Sequence, residues 1–195
     1  MKQYHGYLLI ALVMLMSVAA HGQREDRIAR LIEENPGKTF LVYKFDIKEN
    51  IAPPSVHRAR LAFEAADSLG ADVILIHMNT YGGAVDAADS LRTRIMQSRI
   101  PVMVFVDNNA ASAGAFILLG GHIAAMSPGT TTGAAMPVML TPDEEGTQTA
   151  DNKTILFLAG HIRSIAESND RPAEIAERFV TENLTLTSRE ALDLG

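Results

Sequence analysis

The stretch Ala71–Val106, ADVILIHMNTYGGAVDAADSLRTRIMQSRIPVMVFV, decides the fold. It opens on ADVILIHMN, a short continuous apolar run of the kind that a strand buried on both faces requires. It turns at Gly82-Gly83, takes helical spacing from Ala84 to Ser98, and returns at Pro101 to a second buried run, PVMVFV. Upstream, Asn35-Pro36-Gly37 makes a turn and KTFLVYKFDI from Lys38 has the β-branched and aromatic content of a strand. Pro54 to Leu69 then places Val56, Ala59, Leu61, Phe63 and Ala66 at helical spacing and stops at Gly70. Strand, helix, strand, helix, strand means an α/β domain with a mostly parallel sheet and crossover helices.

Downstream, Ser112 to Leu119 reads as a short buried helix, GHIAAM from Gly121 as a strand and Gly129–Gly133 as a turn. TPDEEGTQTA from Thr141 is polar and without periodicity, an exposed loop that is either a connector or a lid. Asp151 to Ser168 is a helix, Asp170 and Pro172 start another, and Thr187 with Glu190 forms a capping box for a last short one. A charged, helical lead-in spans Glu25 to Glu34.

Composition removes several classes of function. The 195 residues suit one ordinary domain, and the absence of cysteine excludes disulfides, thiol chemistry and cysteine-ligated metals. A net charge of −6 with interspersed signs, and only 6% aromatic residues, argues against a nucleic-acid surface. At the N-terminus, Met1-Lys2 precedes an apolar run from Tyr7 to Ala20, with small residues at Ala19, Ala20 and Gly22. The run is too short to span a bilayer, so residues 1–22 read as a secretory signal, with a retained anchor as the alternative, and 23–195 as the folded domain.

Chemistry in a parallel sheet sits at the carboxyl ends of strands. One such end runs into Tyr81-Gly82-Gly83, where a glycine pair lets main-chain N–H groups approach a ligand. Another runs into NNAASAGAFILLG from Asn108, whose lone hydroxyl, Ser112, stands where a helix begins. Ser112 either caps that helix or acts as a nucleophile beside the Ala113 N–H, and a base is what separates the two. Of six histidines, His5 and His21 lie in the signal, and His57, His77, His122 and His161 lack an evident acidic partner and read as structural. The other base is a lysine kept neutral by desolvation. Lys153, in DNKTILFLAGHI, is either a solvated residue on a helix's first turn or, if the apolar residues Ile155 to Leu158 bury it, that base.

The run from Asn79 to Val138 resembles the ClpP-class serine proteases of the NfeD family, membrane-associated proteases linked to stomatin-like proteins. The Gly-Gly turn, Ala111-Ser112-Ala113-Gly114, Pro128-Gly129-Thr130 and Gly133-Ala134-Ala135 before Pro137-Val138 occur together and in order. The resemblance implies a ClpP/crotonase-type spiral of ββα units and a Ser–Lys dyad falling on Ser112 and Lys153. It implies Gly83 and Ala113 as oxyanion donors, and no metal or organic cofactor. It further implies an exported, periplasmic or membrane-associated endopeptidase that cuts apolar segments of membrane proteins, has a stomatin-like partner, and forms a homodimer or larger assembly. The family commonly has Asp-Thr-Pro before Gly-Gly; here Asn79-Thr80-Tyr81 stands there, and Tyr81 with Gly82 is expected to line the substrate cleft. Relatives continue past the position of Gly195 into a closing strand, so the domain is expected to be truncated at its C-terminal end. Two rival readings are a crotonase-like acyl-thioester enzyme, which shares the two-amide oxyanion hole but needs no nucleophile, and a non-catalytic peptide-binding scaffold.

Overall fold

The apolar runs of the sequence become the strands of a six-stranded sheet, with helices packed between its members. The computed structural model describes residues 32–140 and 147–195, in two units that divide after Thr39. In the first unit, residues 32–34 form a helical turn that ends where the Asn35 N–H donates to the Ile32 carbonyl (3.3 Å). Apart from that turn, the helix expected over Glu25–Glu34 and the signal expected over residues 1–22 lie outside the described residues.

The second unit runs β1 (Val42–Ile47), α1 (Pro53–Leu69), β2 (Val73–Thr80), α2 (Val85–Met96), β3 (Val102–Ala111), α3 (Ala113–Gly120), β4 (Ile123–Met126), β5 (Thr131–Gly133), β6 (Val138–Leu140), β7 (Thr147–Thr149), α4 (Asn152–Ser168), α5 (Ala173–Thr181), β8 (Thr185–Thr187) and α6 (Ser188–Leu194). The expected crossovers are present. β1, β2 and β3 pair in parallel, with Ile74 beside Val102, Ile76 beside Val104 and Met78 beside Val106. All six of these side chains are fully buried against α1 and α2, because side chains alternate across a strand and this is the face the helices cover.

β3 is longer than the expected Pro101–Val106 strand and serves two partners in turn. Met103–Val106 pairs with β4, and Asn109–Ala111 pairs with β5. β5 in turn pairs antiparallel with β8. The sequence around Gly129–Gly133 therefore holds a strand, not only a turn: the Thr132 hydroxyl donates to the Ala110 carbonyl (3.0 Å) and Thr131 donates to Asn109 Oδ1 (2.8 Å). Likewise Thr147–Thr149, expected as loop, pairs with Val138–Leu140 in a separate two-stranded sheet, and residues 141–146 of that expected loop lie outside the described residues.

α3 is apolar all round and is buried all round. Ala113, Ile117 and Leu118 pack into the core formed by the sheet with α1 and α2. Ala115 and Phe116 pack into a second core built from α4, α5 and Leu186 of β8. Helix ends follow the sequence signals: Gly70 closes α1 in the left-handed conformation (φ 65°), and the capping box of Thr187 and Glu190 opens α6.

On the sheet's other face His77 does have acidic partners, contrary to expectation. Nδ1 lies 3.0 Å from Asp46 Oδ1 and Nε2 lies 2.7 Å from Asp107 Oδ2, and the ring stacks on Phe105. Strand register brings these groups together from distant sequence positions, which spacing alone does not reveal. Burial alone raises the Asp46 carboxyl, but the His77 hydrogen bond, with Lys44 and Lys48, outweighs it and holds the group below its usual range.

Gly83 is fastened to Ile51 by a parallel bridge: the Ile51 N–H donates to the Gly82 carbonyl and the Ala84 N–H to the Ile51 carbonyl, both at 2.8 Å. A Cβ on Gly83 would run into the Ile51 carbonyl oxygen, and Gly83 sits at φ 150°, where L side chains are strained. Gly83→Ala is therefore expected to lower stability by about 3 kcal/mol, a value overpacking and backbone strain together support. A urea midpoint unchanged from the parent would show that the bridge does not constrain the fold.

α4 is capped by Asp151, whose carboxylate accepts the Thr154 N–H (3.0 Å) and hydroxyl (2.8 Å). The Thr154 N–H, then its hydroxyl, holds the Asp151 carboxyl below its usual range. A carboxyl lowered by folding stabilises the folded state above its unfolded value, and that contribution is lost as pH falls through the lowered one. The first turn of α4 should accordingly fray in acid, seen as a pH-dependent shift of the Thr154 amide resonance, and Asp151→Asn, which caps without titrating, should remove the dependence.

Candidate active site

The backbone at the end of β3 enters α3 through an unusual turn. Ser112 has φ 53° and ψ −121°, a positive φ that a non-glycine residue adopts at a cost of roughly 1–3 kcal/mol. It stands at the N-cap position of α3, but its side chain makes no capping hydrogen bond, and among the described residues its hydroxyl has no partner. The capping alternative is thus not realised. What holds the turn is main chain: the Ser112 N–H donates to the Gly133 carbonyl (2.8 Å). Gly133 and Ala134 are in turn held from the C-terminal part of the chain, the Ala134 N–H donating to Leu184 (2.7 Å) and the Ala135 N–H to Phe179 (2.8 Å).

The glycine turn after β2 lies against Ser112. A Cβ on Gly82 would stand 2.6 Å from Ser112 Cβ and 3.1 Å from its Oγ, so only glycine permits this approach. In the Ile51 bridge the Gly82 carbonyl and Ala84 N–H face Ile51, so the Gly83 N–H points to the opposite side, away from Ile51. The Ala113 N–H belongs to the first residue of α3 and has no intrahelical partner. The Ala113 N–H follows Ser112 directly and the Gly82–Gly83 turn packs on it, the kind of donor-rich surrounding that acyl transfer uses for an oxyanion.

Thr80 sets the glycine turn and was not singled out by sequence reasoning. Its buried hydroxyl donates to the Glu49 carbonyl (2.7 Å) and accepts the Gly82 N–H (3.1 Å). Its methyl fills the space beside Gly114, where a Cβ would come within 2.7 Å. A threonine at a strand end two residues before a glycine is a local signal that marks it. Tyr81, beside it, is 80% exposed and stands at the rim.

Lys153 lies on the first turn of α4 and is exposed, with no hydrogen bond or ion pair to its side chain among the described residues. Of the two alternatives, a solvated residue on the first turn and a lysine buried by Ile155 to Leu158, the structure shows the first. The buried residues of α4 begin at Leu158 and continue through Ala159, Ile162, Ile165 and Ala166, so the core starts more than one turn beyond the lysine. Phe116 of α3 meets His161 of α4 edge to face (centroids 6.2 Å apart), and the Leu119 carbonyl near the end of α3 accepts Asn169 Nδ2 (2.8 Å) and Arg171 Nη1 (2.6 Å) from the segment that follows α4, so the two helices are in contact. From the Phe116–His161 contact, Ser112 lies about 6 Å and Lys153 about 12 Å back along the helix axes, at 1.5 Å per residue.

The remaining histidines have structural partners or none nearby. His122 Nδ1 accepts the Val102 N–H (3.0 Å), and His57 is exposed on α1. His161 contacts Asp89 Oδ1 (3.0 Å), an acidic partner the sequence did not reveal. Among the described residues no group of His, Cys, Asp and Glu converges as a metal site, and no helix is long and apolar enough to cross a membrane.

Residues 41–193 match the family described as NfeD1b, N-terminal domain. The chain is 37% identical over 158 residues to membrane-bound protease PH1510 of Pyrococcus horikoshii, covering 80% of this chain and 36% of that protein. It is 31% identical over 167 residues to membrane protein NfeD1b of Bacillus subtilis, covering 79% and 37%. The chain thus spans little more than a third of the length of these curated relatives. Among solved structures, a membrane-bound stomatin-specific protease carrying a serine-to-alanine change superposes with a TM-score of 0.77 at 35% identity, covering 81% of this chain and 78% of that one. A lysine-to-alanine form in complex with a substrate peptide gives 0.77 at 36% identity, covering 80% and 73%. ClpP1 of Listeria monocytogenes, 22% identical with a TM-score of 0.62 over 86% of this chain and 91% of that one, shares the fold. The turn at Ser112, the glycine pair packed on it and the two-partner strand β3 are thus set in a ClpP-like protease fold, and the chain belongs to the NfeD family through its NfeD1b-type N-terminal domain.

Proposed function

We propose that this domain is a serine endopeptidase in which Ser112 is the nucleophile and Lys153 the base. The observation that carries the reading is the Ser112 turn itself, where a strained backbone presents a hydroxyl with no structural task beside two main-chain N–H groups. The serine-to-alanine and lysine-to-alanine forms of the solved relatives concern the same pair of residue types, which supports the assignment.

In the reaction, neutral Lys153 takes the Ser112 proton as Oγ attacks a peptide carbonyl. The N–H groups of Gly83 and Ala113 hold the oxyanion, and Lys153 passes the proton to the leaving amine as the C–N bond breaks. Water, deprotonated by Lys153, then releases the acyl group and restores the serine. The exposed position of Lys153 assigns its desolvation to the substrate. Tyr81 and Val85 around the glycine turn, and Leu156 and Phe157 beside Lys153, are large apolar side chains left open to solvent. An apolar segment laid over them excludes water from the lysine, so the substrate preference and the base activation have one cause. The stomatin-specific proteases among the solved relatives support a stomatin-like membrane protein as partner, and in this reading the domain acts as an exported or membrane-associated homo-oligomer.

A fluorophosphonate probe tests the reading, since a serine hydrolase labels at one serine and neither an acyl-thioester enzyme nor a peptide-binding scaffold does. Ser112→Ala should abolish labelling and peptide hydrolysis while changing stability by less than about 1 kcal/mol, because no capping bond is lost. Ser112→Gly should be equally inactive yet more stable by about 1 kcal/mol, since glycine adopts the positive φ without strain. Loss of stability in both variants would return Ser112 to a structural role.

Lys153→Arg should be as inactive as Lys153→Ala, because a guanidinium does not give up its proton. An active arginine variant would remove the lysine from the mechanism.

A further inference from the structure

Three elements of the candidate site meet at a residue the proposed mechanism does not use. His161 lies on α4 in line with Phe157 and Lys153, spaced four residues apart and so stacked along one face of the helix. Its ring is gripped edge to face by Phe116 and by Phe157, each with centroids 6.2 Å away. Phe116 stands one turn beyond Ser112 on α3, and Phe157 one turn beyond Lys153 on α4. From behind, His161 Nε2 meets Asp89 Oδ1 at 3.0 Å, and Arg92 grips the same oxygen through Nη2 (2.6 Å) and Nε (3.1 Å). Asp89 and Arg92 belong to α2, the helix that follows the Gly82–Gly83 turn. α2 and α3 are themselves closely packed, since a Cβ on Gly120 would come within 2.7 Å of Arg92 Cγ.

Besides Arg163, which pairs with Glu177 of α5 (3.2 Å), α4 has polar ties to α2 and α3 at two places among the described residues. One is near its C-terminal end, at Asn169 and Arg171 on Leu119, and the other is His161 on Asp89. Toward Lys153 from His161, no further polar tie to α2 or α3 is present among the described residues, and the first turn is exposed. Leu158, Ala159 and Ile162 hold the middle of α4 by apolar packing, which is non-directional, and His161 on Asp89 is the polar contact to α2 nearest Lys153, the one that sets how the helix is turned about its axis.

We propose that His161 is a positioning residue: seated between Phe116 and Phe157 and hydrogen-bonded to Asp89, it fixes the face of α4 so that position 153 is held beside position 112. The inference rests on the reading of Ser112 and Lys153 as the catalytic pair for its consequence in catalysis, but not for its geometry. If that reading holds, loss of His161 lowers kcat and leaves KM nearly unchanged, because the apolar surface that binds substrate is intact while the base is misplaced.

The full chain contains no cysteine, so the distance can be read without reference to activity. A Ser112→Cys, Lys153→Cys protein is cross-linked with a short bifunctional maleimide, alone and combined with His161→Ala, His161→Gln or Asp89→Ala. The parent pair should cross-link readily. His161→Ala and Asp89→Ala should slow cross-linking at least tenfold, and His161→Gln, whose amide still reaches Asp89, should recover most of the rate. Asp89 is 42% exposed, so its variant tests the tie even if His161→Ala does not fold. No cross-link in the parent pair, or equal rates in the parent and the Asp89→Ala protein, overturns the proposal. In the cysteine-free enzyme the same changes should lower kcat about 100-fold, as a displacement on the order of 1 Å does, with KM within twofold. Cross-linking that follows the expected order in a protein that neither hydrolyses peptides nor takes up the fluorophosphonate would uphold the positioning and remove the catalytic reading.

Discussion

An eight-residue helix with no polar face has to be buried on every side, and α3 is the constraint around which this domain is arranged. One side of it completes the core under the parallel sheet, and the other completes the core of α4, α5 and β8. Because both sides are covered, the chain reaches α3 only from the end of β3, and it has a single residue in which to reverse from extended to helical geometry. That residue is Ser112, and its positive φ is the local cost of burying the helix completely. The glycines follow from the same crowding. Gly82 lets one strand end lie on Ser112, and Gly114 lets α3 sit against Thr80.

The repeating part of the architecture was legible because its signals are local. The runs that became β2 and β3, the helices between them, the stop at Gly70 and the capping boxes each depend on residues a few positions apart. What escaped depends on distant partners. β5 and β8 are three residues long, and Thr131–Gly133 is a strand only because Asn109–Ala111 and Thr185–Thr187 lie on either side of it. The carboxylates that meet His77 and His161 arrive by strand register and helix packing, and no spacing rule announces them. Of the candidate site, Ser112 and the glycine pair were legible from the strand-end rule, and the resemblance supplied Lys153. The exposure of Lys153 agrees with the solvated alternative, since apolar neighbours in sequence lie around a helix on all sides and do not bury its first turn.

In the proposed reaction an exposed lysine and an apolar rim divide the work between protein and substrate. The protein contributes what must be rigid, namely the Ser112 turn and the two N–H groups, all held by main-chain bonds or close packing. The dry environment that a neutral amine requires is left to whatever apolar chain occupies the rim.

The support of Ser112 also carries an instruction about order of assembly. The Ser112 N–H hangs on Gly133, and Gly133 with its neighbours hangs on Phe179, Leu184 and the strand Thr185–Thr187. As the chain leaves the ribosome, or threads through a translocation pore, the serine emerges some seventy residues before the strand that braces it. Until that strand arrives, β5 has no outer neighbour and the loop that bears Gly133 has nothing to close on. The turn at Ser112 therefore takes its final shape only once the C-terminal part of the chain has been made.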